Sequence, residues 1–153
     1  MAYRKRSKYG VDMTKAGKTK RSFEGQLFDS ELELKIYRDY LIPLKKQGEI
    51  LSIELHKEFV LQPAYEKNGE KIRPIIYESD YVITWKDGSF EVWDAKGGMI
   101  DPVATLKRKM FNYVYPEIKL RWVTLSQIDG GVVEYEVMKK ARAIRKKAKK
   151  LTK

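Results

Sequence analysis

Tyr81-Val82-Ile83-Thr84-Trp85-Lys86-Asp87-Gly88-Ser89-Phe90-Glu91-Val92-Trp93-Asp94-Ala95-Lys96 is the stretch on which the fold turns. Two runs rich in β-branched and aromatic residues flank Lys86-Asp87-Gly88, which reads as a hairpin. Strand segments are expected over Ile75–Trp85 and Ser89–Lys96. Side chains alternate between faces, so the loop length decides which residues meet. A two-residue Asp87-Gly88 loop would pair Lys86 with Ser89 and put Asp80 and Asp94 on opposite faces. A three-residue Lys86-Asp87-Gly88 loop pairs Trp85 with Ser89 and sets Asp80 directly opposite Asp94. The second solution, a type I turn closed by a left-handed glycine, suits Gly88 and predicts a positive φ there.

Upstream, Ser30 is a good helix N-cap, with Glu33 where a capping box needs its acid. The helix should run to about Lys46 and end at Gly48. Leu34, Ile36, Tyr37, Tyr40, Leu41 and Leu44 form its apolar face. At about 100° per residue, Glu33 sits in the middle of that face and Glu31 points to solvent. A core-facing carboxylate needs a partner or a task, and capping alone could supply one. Ile50–Leu55 and Glu58–Tyr65 read as extended, and Asn68-Gly69 as a hairpin turn. Pro102 opens a helix over Val103–Tyr115. Ile118–Ser126 is a buried strand, Val132–Glu136 a short segment after Gly130-Gly131. Val137, Ala141, Ile144, Ala148 and Leu151 mark one stripe on a basic C-terminal helix. The order implies an α/β sandwich, a central mixed sheet flanked by helices.

Charge divides the 153 residues further. Residues 1–22 hold eight basic side chains against one acid, and residues 139–153 hold nine and no acid. Residues 23–138 hold 15 basic and 20 acidic side chains, so a net-acidic body carries two cationic arms despite the overall charge of +11. The expected organisation is a basic N-terminal arm (1–22), a core (23–138) and a basic C-terminal helix (139–153). Arms of this density favour a polyanionic partner, although charged termini also aid solubility. With no cysteine and only one histidine, His56, thiol catalysis, disulfide scaffolds and multi-histidine metal sites are excluded. Gly17-Lys18-Thr19 lacks the preceding glycine and strand of a phosphate-binding loop, since position 12 is Asp. Apolar runs reach only about five residues, short of a membrane span, and no signal-peptide pattern precedes them. The expectation is a cytoplasmic protein with no membrane partner. Trp85, Trp93 and Trp122 all fall in strands, where packing explains them better than base stacking.

Asp94 and Lys96 lie two apart on a strand and share a face, which alone could be a structural ion pair. Asp80, among Val82 and Ile83, is unfavourable unless something neutralises it. Glu33, Asp80 and Asp94 with Lys96 make a coherent metal-plus-phosphate site.

At these residues the chain resembles the PD-(D/E)XK nuclease superfamily, through Glu33, Gln62, Asp80 and Asp94-x-Lys96. Lys8-Tyr9-Gly10, Phe28-Asp29-Ser30 with Glu33, Tyr77 with Asp80-Tyr81, Asp94-Ala95-Lys96-Gly97 and Lys107-Arg108-Lys109 are similar to a family of small phage and prophage nucleases. The resemblance spans about residues 8–125. Ser79 stands where proline is commoner, and Asp94 where glutamate is. It implies a restriction-endonuclease-like fold and a Mg²⁺-dependent DNA endonuclease, with Mn²⁺ as substitute. The metal ligands would be Asp80, Asp94, the Ala95 carbonyl and Glu33. Lys96 would orient water and stabilise charge on phosphorus; Gln62 would bond the nucleophile or the phosphate, or be an ordinary strand-end residue. DNA contacts would come from Lys107 and Lys109, unless these are a solvated helix face, and from Arg4, Lys5, Arg6, Lys8, Arg142, Arg145 and Lys146. The preferred substrate is branched DNA of Holliday-junction type in phage recombination, whose two-fold symmetry favours a homodimer. The alternatives are a non-specific or nicking nuclease and a non-catalytic nucleic-acid-binding module.

Overall fold

The Trp85 N–H donates to the Ser89 carbonyl at 2.8 Å and the Gly88 N–H to the Trp85 carbonyl at 2.9 Å, so the hairpin turns on three residues. Gly88 has φ 83°, the left-handed conformation that a Cβ disfavours. Pairing continues through Thr84–Phe90, Ile83–Glu91, Val82–Val92 and Tyr81–Trp93, the register that sets Asp80 opposite Asp94.

The computed structural model describes residues 10–151, and Arg4, Lys5, Arg6 and Lys8 lie outside them. The elements are α1 (Lys15–Lys20), β1 (Ser22–Phe23), β2 (Gln26–Leu27), α2 (Glu31–Ile36), a π-helical turn (Tyr37–Leu41) and α3 (Ile42–Lys46). There follow β3 (Ile50–Leu55), β4 (Glu58–Gln62), β5 (Tyr65–Lys67), β6 (Glu70–Ile72), β7 (Ile75–Glu78), β8 (Tyr81–Trp85) and β9 (Phe90–Ala95). The chain continues with α4 (Pro102–Val114), β10 (Lys119–Ser126), β11 (Gly131–Glu134) and α5 (Tyr135–Leu151). A five-stranded sheet runs β11-β10-β9-β8-β3. It is mixed, because only β9 and β10 are parallel, with α4 as their crossover.

Helices cover both faces. Leu34, Ile36 and Leu41 pack with Tyr81, Ile83, Trp93 and Val123 on one side. On the other, Phe111 of α4 packs with Val82, Val92 and Leu120, and beside it Tyr135 and Met138 of α5 enclose Trp122. The result is the expected α/β sandwich.

Two expectations are corrected. The helix from Ser30 is not regular α throughout: it opens into a π turn at Tyr37–Leu41, where the Ile42 N–H reaches the Tyr37 carbonyl. Pro43 is the cause, since it lacks an N–H and its ring crowds the carbonyl four residues back. The wider turn rotates the stripe, and Tyr40 ends exposed. Nor is Ile75–Trp85 one strand: it breaks at Ser79-Asp80. The opposing strand breaks in step, at His56-Lys57, with His56 at φ 53°. Bonds from the Ser79 N–H to the Lys57 carbonyl (2.9 Å) and from the His56 N–H to the Asp80 carbonyl (3.3 Å) carry the register across the gap. The kink frees the Asp80 side chain from the ladder.

Within the described part of the N-terminal segment, Arg21 anchors the chain to the start of the core. Arg21 is buried and donates to the carbonyls of Phe28 (2.6 Å), Asp29 (3.1 Å) and Asp12 (3.1 Å).

Candidate active site

Where β8 starts one residue after Asp80, β9 runs on, and this mismatch opens a cleft. It has a volume of about 850 Å³, and its lining includes Glu33, His56, Glu78, Asp80, Asp94 and Lys96. The Asp80 carboxylate accepts from the Ala95 N–H at 2.6 Å. In a strand the N–H and C=O of one residue lie on the same edge, so the Ala95 carbonyl faces the same gap.

Asp94 is buried and doubly held. The Tyr77 hydroxyl donates to its Oδ2 at 2.9 Å, and Lys96 Nζ makes an ion pair with the same oxygen. Trp122 Nε1 in turn donates to the Tyr77 hydroxyl at 2.9 Å. The guanidinium of Arg108 lies 4.3 Å from the Trp122 ring centre and Lys96 Nζ 5.2 Å from it, both within cation–π range. A chain of contacts therefore runs from α4 through the buried indole and phenol to a carboxylate.

Glu33 enters from the start of α2. Ser30 Oγ donates to it at 2.9 Å and the Asp29 N–H at 3.2 Å, while its own N–H bonds back to Ser30. It therefore caps the helix and lines the cleft at once. Glu31 is exposed, as the helical spacing requires.

Electrostatics set this cluster apart from an ordinary ion pair. Burial, then the charges of Asp94 and Glu33, hold the Asp80 carboxyl well above the usual carboxylate range. Burial also pushes Glu33 up, against the hydrogen bonds that lower it. Burial and the neighbouring Asp94 push the Tyr77 hydroxyl up, so it stays a donor. One ammonium does not compensate these acids. Among the described residues no three Asp, Glu or His side chains are grouped as an ion cage. Two opposed carboxylates and a backbone carbonyl are nevertheless the hard-oxygen set that a hydrated divalent cation takes, with Glu33 across the cleft.

Four of the five residues expected to be catalytic thus converge: Glu33, Asp80, Asp94 and Lys96. Gln62 does not. It pairs with Ile75 at the far end of β4, and antiparallel pairing with β7 carries it away from the break. Ile75 and Asp80 are five steps apart along the chain, about 16 Å at strand rise. Lys107 is half-buried on α4 and Lys109 exposed, as are Arg142 and Lys146 on α5. Arg145 is engaged elsewhere, donating to both Asp129 oxygens at 2.6 and 3.1 Å. Sequence reasoning passed over His56 and Glu78, which face each other at 3.7 Å on the cleft wall. The one histidine of the chain, between two strand-like runs, was the available signal. The bond between Tyr77 and Asp94 joins residues 17 apart and left none.

No helix among the described residues is long and apolar enough to cross a membrane. No curated protein and no solved structure matches the chain. The family described as protein of unknown function (DUF1064) matches residues 6–128, most of the sequence, and the chain belongs to that family.

Proposed function

We propose that the chain is a divalent-metal-dependent DNA endonuclease of the PD-(D/E)XK kind that acts on branched DNA. The register opposing Asp80 and Asp94 beside Lys96 carries this reading. Two carboxylates confined together, with Asp80 strongly disposed to hold a proton, favour a cation between them, and Asp80, Asp94 and the Ala95 carbonyl would bind Mg²⁺ or Mn²⁺. When bound, the ion supplies Lewis acidity toward the phosphoryl oxygen and toward water. The remaining work belongs to the protein. Lys96, tethered to Asp94, presents a positive charge to the phosphate as negative charge accumulates on its oxygens. Glu33 accepts a hydrogen bond from the attacking water and aims it, the task first given to Gln62. Lys107 and Lys109 on α4, with Arg142 and Lys146 on α5, contact backbone phosphates.

The direct test incubates the protein with four-way junction, duplex and single-stranded DNA, in Mg²⁺ or in EDTA. Paired symmetrical nicks in the junction, requiring Mg²⁺, are expected. Equal cleavage of all three substrates would replace the branched preference with non-specific hydrolysis. No cleavage of any substrate in Mg²⁺ or Mn²⁺ would leave a binding module.

Two finer outcomes follow from the geometry. Glu33→Gln should slow cleavage at least about tenfold, because an amide is a poorer acceptor for the water, while Glu31→Gln stays near wild type. Equal, small effects would reduce Glu33 to a helix cap. Lys107→Ala and Lys109→Ala should each weaken junction binding and flatten the log-log salt dependence by about one unit. Unchanged slopes would return α4 to a solvated surface.

A further inference from the structure

α5 carries an apolar seam whose large side chains stand exposed among the described residues. Tyr135 and Met138 are buried against the sheet, and the Arg145–Asp129 pair ties the next turns to the body. Val137, Ile144 and Leu151 instead stand 55, 68 and 88% exposed. With Ala141 and Ala148 they recur at alternating spacings of four and three, the a and d positions of a heptad repeat. The seam is about 21 Å long at 1.5 Å per residue. Lys140 and Lys147 occupy the g positions beside it, while Arg145 at an e position is held by Asp129.

We infer that this seam docks an acidic amphipathic helix of a partner protein, apolar at a and d and rich in Glu at e and g. The inference is independent of the nuclease reading. A second copy of the chain would set lysine and arginine against one another in either helix orientation, which disfavours self-pairing. Membrane-surface helices use a broad apolar face with Trp, Phe or Leu, whereas this seam is narrow and built partly of alanine. Phosphate contacts need no apolar seam. Lys139, Lys146 and Lys150 point away from it by helical geometry and leave the opposite face to nucleic acid.

Two labelled 21-residue peptides test this, both with Leu at a and d, one with Glu and the other with Lys at e and g. In fluorescence anisotropy the Glu peptide should bind about tenfold more tightly than the Lys peptide, from the flanking charges. Ile144→Asp should abolish that binding and leave thermal unfolding unchanged, since Ile144 is exposed. The double variant Lys140→Glu/Lys147→Glu should reverse the preference. Failure of the Glu peptide to bind, or equal binding of both, overturns the inference. So does Ile144-dependent self-association in sedimentation equilibrium, or Ile144-dependent binding to vesicles of anionic phospholipid.

Discussion

Asp80→Asn is expected to stabilise the metal-free protein and to remove the cleavage activity proposed for it. The asparagine keeps an oxygen for the Ala95 N–H, now at 2.6 Å, so the local geometry survives. What disappears is a desolvated negative charge facing Asp94 and Glu33, the causes that hold Asp80 above the usual carboxylate range. A carboxyl with a raised native pKa binds more protons folded than unfolded. Wild-type stability therefore falls as pH rises from the ordinary Asp value through the raised native value, and the loss is complete above it. Asp80→Asn removes this slope, so its advantage grows with pH and is full once the pH exceeds the raised native value. A melting temperature higher by about 2–4 °C per kcal/mol relieved is expected at pH 8 in EDTA, with the difference vanishing below pH 4. Mg²⁺ should raise the wild-type melting temperature and leave the variant unmoved. Cleavage should fall by about 10²–10³-fold, the scale of losing a principal electrostatic element of a site. Destabilisation by Asp80→Asn at pH 8 would remove the argument that the charge is uncompensated. Near-wild-type turnover would remove Asp80 from the chemistry.

The parity rule for β-strands made the central feature readable before any coordinates. Gly88 tolerates positive φ, a three-residue loop follows, and an even register opposes Asp80 and Asp94. Helical spacing placed Glu33 inward for an equally local reason. What was not readable came from tertiary contacts. The break at Ser79-Asp80 depends on a partner strand that kinks at His56, more than 20 residues away. Gln62 carries the right side chain in an extended run, but only the pairing of β4 with β7 reveals that the run leads away from the cleft. The π turn was signalled by Pro43, whose missing donor cannot be accommodated in regular α geometry. The stripe on α5 was visible as periodicity, yet periodicity cannot say whether a stripe faces its own core or another molecule.

Tyr77→Phe and Trp122→Ala separate positioning from packing at the other carboxylate. Trp122 is buried between strand and helix, and deleting its ring removes contacts with Tyr135, Met138 and Arg108. Truncation there should cost about 3–5 kcal/mol of stability. Tyr77→Phe retains the ring that packs against Phe111 and loses only the hydroxyl between Trp122 Nε1 and Asp94 Oδ2. The loss strands the indole N–H and leaves Asp94 to Lys96 and the facing Asp80, so the destabilisation should be about 1–3 kcal/mol. The sharper effect falls on the site. A carboxylate freed of its orienting hydrogen bond should bind divalent cation about 10–100-fold more weakly, as when an outer-shell partner of a metal ligand is removed. Terbium luminescence sensitised by Trp122 reads that affinity without turnover, and its half-saturation should shift by the same factor as the Mg²⁺ dependence of cleavage. Saturating Mg²⁺ should then restore most of the rate, because the hydroxyl orients Asp94 and does not touch the phosphate. A rate that stays low at saturation, with cation affinity unchanged, would mean that Tyr77 acts on the substrate and that the Trp122–Tyr77–Asp94 chain is no more than core packing.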